Sequence, residues 1–213
     1  MYPEKAQEEY WADSGDVLSS TSFNPTRAKV TPAKGGYKLG GRWDFSSGCD
    51  AAEWAMLGGV ADEGLRWFLV PRRDYTIEDT WFVSGLRGTG SKDIVIEEAF
   101  IPEYRAVNVA DLRAGQSPGR SIHGSCNYLI PHTTMLSYTL AAPVLGMAQG
   151  AVDTFEEQVM GRVTYTTGDK LGENPLVHIR LSEAEAEVHC ARLIMKYDGE
   201  EVFGQARRGE MPS

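Results

Sequence analysis

GGYKLGGRWDFSSGCDAAEWAMLGG, residues 35–59, joins a glycine-punctuated hairpin to the hydroxyl pair Ser46-Ser47, which runs directly into Gly48. Glycine tolerates positive φ and close backbone approach. The stretch therefore predicts a strand that delivers two hydroxyls to a place where another group must come near. Trp43 and Phe45 flank Asp44 at strand spacing. A flat ligand suits that combination of aromatic faces and hydroxyls.

Short β-forming segments surround this stretch. Strands are expected at 17–23 and 26–31, broken by Asn24-Pro25, then at 37–39 and 42–46 around Gly40-Gly41. Segments 53–60 and 65–71 read as a hairpin across 61–64, and 81–84 pairs with 92–101. Turns of glycine or proline at each break predict a small antiparallel barrel or sandwich. Residues 3–11 suit a short helix, with Pro3 in its first turn.

The texture changes near residue 107. Residues 106–127 read as a loop rich in glycine, and 131–160 then shows Leu136, Leu140, Val144, Met147 and Ala151 three or four apart, one apolar helical face. Pro143 should kink that helix, since it has no N–H for the ladder. A second helix opens at Asn174-Pro175, a capping residue followed by proline at the first helical position. Val177, Leu181, Ala184, Val188, Ala191 and Met195 mark its apolar stripe. Two such helices cannot bury both stripes without further partners, so other subunits or further chain are expected to cover them.

Composition narrows the functional classes. With 42% hydrophobic and 24% charged residues, the 213-residue chain supports a real core. A net charge of −9 argues against non-specific binding to nucleic acid or an anionic membrane. No unbroken apolar run approaches the roughly 20 residues of a membrane span, and the acidic N-terminus lacks the pattern of a signal peptide. A soluble, cytoplasmic protein is expected. Cys49, Cys126 and Cys190 are widely spaced and read as reduced structural thiols. His123, His132, His178 and His189 share no metal-ligand spacing, so no metal is assigned.

The order of β segments then long helices, with GGYKLGGRWDFSSG at 35–48, resembles the acyl-CoA dehydrogenase superfamily, and most of all its flavin-dependent monooxygenase branch, the oxygenase components of two-component aromatic hydroxylases. SSTSFNP at 19–25, WFVSGLRGTGSKDIVIEEAFIPEYR at 81–105, APVLGMAQGAVDTF at 142–155 and RLSEAEAEVHCARLI at 180–194 carry the same resemblance. It implies an α+β chain: the end of an N-terminal helical domain at 1–16, a β-barrel or sandwich flavin-binding domain at 17–107, and part of a C-terminal helical bundle at 108–213. The family's dehydrogenases show a Thr-Glu-Pro-Gly stretch and a Trp-Ile-Thr-Asn run. Here those positions read Ser22-Phe23-Asn24-Pro25 and Asp44-Phe45-Ser46-Ser47, which favours hydroxylation.

In the resembling enzymes, reduced FMN or FAD arrives from a separate flavin reductase and reacts with O2, and oxygen passes to a phenol-like ring. The resemblance places Ser46 or Ser47 beside flavin N5. A hydroxyl both donates and accepts, and alternate strand residues face opposite sides, so one of the two meets the ring. The position just before Gly48 favours Ser47. Ser22 matches a flavin- or substrate-contacting loop position, and Phe45 or Trp43 lines the ring pocket while the other enters the core. Arg87, with Thr89 and Ser91 nearby, suits a flavin phosphate or the pyrimidine oxygens; a glycine-rich turn carrying a solvent-facing arginine is the other reading. The base that activates the phenol is expected outside this chain. A homotetramer is implied. The alternatives are a dehydrogenase-like FAD flavoprotein that oxidises a Cα–Cβ bond, and a non-catalytic subunit that binds a ligand or an assembly partner.

Overall fold

The computed structural model describes residues 1–212 and divides them into two compact units, one spanning Met1–Tyr128 and one from Leu129 onward. The first unit opens with helix α1 (Glu4–Tyr10), followed by strands β1 (Ser19–Ser22), β2 (Ala28–Ala33), β3 (Gly36–Ser46), β4 (Trp54–Ala61), β5 (Gly64–Pro71), β6 (Thr76–Glu78), β7 (Lys92–Pro102) and β8 (Ala106–Asn108). Short helices α2 (Val109–Arg113) and α3 (Gly119–His123) follow. The second unit holds α4 (His132–Met160) and α5 (Pro175–Arg207).

The strands form two four-stranded sheets, ordered β1-β4-β5-β8 and β2-β3-β7-β6. This is a sandwich, not a closed barrel, and it is not wholly antiparallel. β1 runs parallel to β4, with Ser19 opposite Trp54 and Ser22 opposite Leu57. Parallel pairing needs a long crossover, and β2 and β3 supply it by building the second sheet on the way.

Tyr37, Leu39, Trp43, Leu57, Phe68 and Ile94 fill the space between the sheets. The other face of the first sheet carries a second core, where Trp54, Trp67 and Leu69 pack with Ala6 of α1 and with Val109 and Leu112 of α2. A sheet covered on both faces reads as a continuous apolar run rather than an alternation, which explains Trp67-Phe68-Leu69-Val70 in β5. The same packing carries the first unit past the texture change at 107. Residues 1–16 and 108–128 belong to the compact unit that contains the sheets.

Three local expectations are corrected. Residues 81–84 form no strand; the short partner of β7 is β6, with Thr76 opposite Val95. Gly40-Gly41 does not break the chain into two strands, because β3 runs through it with a register shift between Leu39 and Gly41. The stretch 106–127 is not simply a loop: it contains β8, α2 and α3. Of the three cysteines only Cys49 is buried.

In the second unit, α4 continues through Pro143, and Asn174 caps α5 by accepting a hydrogen bond from the Leu176 N–H at 2.9 Å. The apolar stripes stay largely uncovered; Val159 of α4 and Val188 and Ala206 of α5 are the buried residues of these helices. A groove of about 740 Å³ runs between them, lined by Val144, Leu145, Ala191 and Met195 among others. By length and composition α4 is apolar enough to cross a membrane, with mean hydropathy 1.2 over its best window. Counting unbroken apolar runs misses this because Gly, Ser and Thr interrupt the stretch while lowering its mean only slightly.

Candidate functional site

The end of β3 departs from regular strand geometry. Trp43 lies opposite Ile94 and Ser46 opposite Lys92, so three steps on β3 match two on β7, a β-bulge. Phe45 takes φ 60°, a left-handed conformation that is unfavourable for a bulky side chain. The extra residue separates two aromatics that plain alternation would put on one face. Trp43 is fully buried between the sheets and donates its Nε1–H to the Gly58 carbonyl at 2.7 Å. Phe45 is 69% exposed and meets Trp81 edge-on, with ring centroids 6.1 Å apart.

The two serines part in the same way. Ser46 is fully buried and its Oγ has no hydrogen-bond partner among the described residues. Ser47 lies at the surface with its Oγ 2.8 Å from Ser91 Oγ. Ser91 is in turn 2.7 Å from Thr89 Oγ1, which donates to the Leu86 carbonyl at 3.0 Å. Gly48, at φ 74° with open space around it, donates its N–H to the Thr89 carbonyl at 2.8 Å. That bond pins the strand end to the 79–91 loop. Ser22 is at the end of β1, not in a loop; it is buried and donates its hydroxyl to the Asp44 carbonyl at 2.6 Å.

Most nearby cations are already paired. Arg27 bonds Asp44, and Arg42 bonds Asp93 and Glu78. Hydrogen bonds to Asp93 and Glu78 hold the Arg42 guanidinium above its ordinary pKa. Lys92 lies 2.9 Å from Asp50 and 3.8 Å from Asp79, and the Asp50 contact raises its pKa. Arg87 is different: it is exposed and has no ion pair among the described residues. The neighbouring Cys49 thiol is pushed up by burial and by the Asp50 carboxylate, so it stays protonated at neutral pH.

The structure thus gathers Ser22, Phe45, Ser46, Ser47, Thr89 and Ser91 around one bulge, with Arg87 on the adjoining loop. Sequence reading missed Trp81 as the partner of Phe45. The signal was there in an aromatic just ahead of Gly85, Gly88 and Gly90, a composition that suits a bent loop better than a strand. Among the described residues, no group of three or more His, Cys, Asp or Glu side chains gathers in metal-binding geometry.

The fold, a two-sheet sandwich followed in sequence by two long helices, is shared with solved structures of acyl-CoA dehydrogenases. The acyl-CoA dehydrogenase C-terminal domain matches residues 138–211. The chain is 37% identical over 197 residues to the flavin-dependent monooxygenase oxygenase subunit HsaA of Rhodococcus jostii, covering 90% of this chain and 51% of that protein. It is 34% identical to the oxygenase component of the FADH2-dependent resorcinol hydroxylase of a Rhizobium species, covering 93% of this chain and 51% of that one. The crystal structure of a 3-HSA hydroxylase from a Rhodococcus species superposes with a TM-score of 0.90 at 33% identity, covering 99% of this chain and 56% of that chain. Over most of its length the chain is similar to oxygenase components of flavin-dependent monooxygenases, and its fold is acyl-CoA dehydrogenase-like. It spans about half the length of the curated relatives it matches.

Proposed function

We propose that this chain carries the flavin-contacting part of an oxygenase component that hydroxylates an aromatic, phenol-like substrate with reduced flavin and O2. One observation carries the reading: the Ser47 hydroxyl stands at the surface of a bulged strand end, beside the exposed Phe45 and the half-buried Trp81 that meets it. The donor set fits an isoalloxazine, with a hydroxyl for a ring nitrogen, aromatic surface for the ring and an unpaired guanidinium for its oxygens or a phosphate. Support also comes from the hydroxylase names of the relatives.

Reduced FMN or FAD would supply the electrons and, with O2, the oxygen atom inserted into the substrate ring, the second oxygen leaving as water. The residues of this chain have narrower tasks. Ser47 holds the hydrogen at flavin N5. Phe45 and Trp81 cover the ring and keep water from it. Arg87 anchors the pyrimidine oxygens or a phosphate. Ser22 reaches the ring only through the backbone, by fixing the bulge. Ser46 faces the protein interior and supports the strand end. A separate reductase would provide the reduced flavin. Identical subunits, proposed as a tetramer, would cover the apolar α4 and α5 faces.

Anaerobic titration with FMNH2 or FADH2, followed by an O2 pulse and stopped-flow absorbance, tests this. A long-lived near-UV band after the pulse supports the oxygenase reading. Absence of binding by either reduced flavin overturns it.

A further inference from the structure

The hydroxyls behind Ser47 have a fixed direction. A hydroxyl has one proton to donate. Thr89 Oγ1 gives its proton to the Leu86 carbonyl, an acceptor it shares with the Thr89 N–H and the Trp81 Nε1–H. Thr89 must therefore accept from Ser91 across 2.7 Å. Ser91, its own proton committed, must accept from Ser47 across 2.8 Å. The Ser47 proton thus points into the protein, and its oxygen offers only lone pairs outward. Ser91 is 5% exposed, so water does not readily scramble this order. The backbone bond from Gly48 to Thr89 holds the two ends of the relay in register.

We infer that Ser91 and Thr89 are specificity-determining positioning residues, which orient the Ser47 hydroxyl so that the site selects reduced over oxidised flavin. The reduced ring carries a hydrogen on N5, which an outward lone pair accepts. The oxidised ring presents a lone pair at N5, which meets another lone pair and is repelled. The discrimination lies in the direction of one proton, not in the shape of the site. This inference rests on the flavin reading above.

The test is anaerobic equilibrium binding of FMNH2 and, separately, of oxidised FMN to the whole chain, with the affinity ratio as readout. Thr89→Val removes the acceptor of the Ser91 proton without changing side-chain size, which frees Ser91 to donate to Ser47 and Ser47 to donate outward. Thr89→Val and Ser91→Ala are each expected to lower the reduced-to-oxidised ratio about tenfold, chiefly by tightening oxidised FMN. Thr89→Ser restores the relay and should keep the wild-type ratio. Unchanged ratios in folded Thr89→Val and Ser91→Ala proteins overturn the relay while leaving the flavin site standing. A wild-type chain that binds neither form overturns the flavin reading itself. If Ser91→Ala does not fold, the comparison of Thr89→Val with Thr89→Ser decides the matter.

Discussion

Ser22 donates its hydroxyl to the backbone oxygen of Asp44, 2.6 Å away, so the last residue of one sheet's edge strand holds the residue just before the bulge in the other sheet. Ser22→Ala leaves that carbonyl without its side-chain donor and should cost about 1 kcal/mol. Urea unfolding followed by fluorescence measures the loss. Reduced-flavin affinity should fall as well, because the bulge positions Ser47. A drop in stability with affinity intact would separate Ser22 from the site.

Trp43 combines full burial with a hydrogen bond to the Gly58 carbonyl. Trp43→Phe keeps most of the packing but strands that acceptor, an expected loss of about 1–3 kcal/mol. Gly58→Ala should be worse, since an added Cβ would sit 2.1 Å from the Phe23 carbonyl oxygen. Thermal melts of the two variants rank the effects, and Gly58→Ala should have the lower midpoint.

Arg87 is exposed and without an ion pair among the described residues, so its removal should leave the melting temperature unchanged. Arg87→Gln should nevertheless weaken reduced-flavin binding about tenfold, the worth of one charge-assisted contact. Unaltered affinity in this variant would return Arg87 to the role of a solvent-facing turn residue.

Burial raises the Tyr75 phenol to about 12, and its hydroxyl donates to the Ala52 carbonyl. A group that ionises later in the folded protein stabilises it fully below the unfolded value. That stability is lost as pH rises through the window from about 10 to about 12. Tyr2 shifts upward for the same reason and adds to the slope. Tyr75→Phe should flatten, though not abolish, the alkaline fall in unfolding free energy, as read by urea titrations across that range.

Glu9 works in the opposite direction. Burial alone would raise its pKa, but hydrogen bonds from Tyr104 and Arg105, with the charges of Arg105 and Lys5, hold the carboxyl below its ordinary range. Its contribution is present above the unfolded pKa and disappears as pH falls through the folded one. Glu9→Gln should lower stability at pH 7 and reduce the loss on acidification. Chemical denaturation at pH 7 and near pH 3 gives both numbers.

The sequence disclosed most of what depends on local chemistry. Pro3, the glycines around the hairpins and the Asn174-Pro175 cap each mark an element that formed close to where it was expected. Long-range pairing was less legible. Nothing within residues 17–23 signals that β1 joins β4 in parallel, because that choice is made by the partner strand and the covering layers. Trp81, Phe82 and Val83 favour extended structure, which is why the sequence predicts a strand at 81–84. Gly85 and the left-handed Leu86 bend the chain there instead. At the site, the residues named from the sequence gather around one bulge, but which of Ser46 and Ser47 faces outward depends on that bulge, which only pairing with β7 reveals.

The single extra residue at Phe45 acts like a frameshift in a text read two letters at a time. Upstream of it Leu39 and Trp43 are buried while Lys38 is exposed; downstream the even position is the buried one, so Ser46 sinks and Ser47 surfaces. Without the bulge, the same residues in plain alternation would turn Phe45 inward beside Trp43 and exchange the places of Ser46 and Ser47. The spacing of this segment is thus as much a part of its chemistry as its letters.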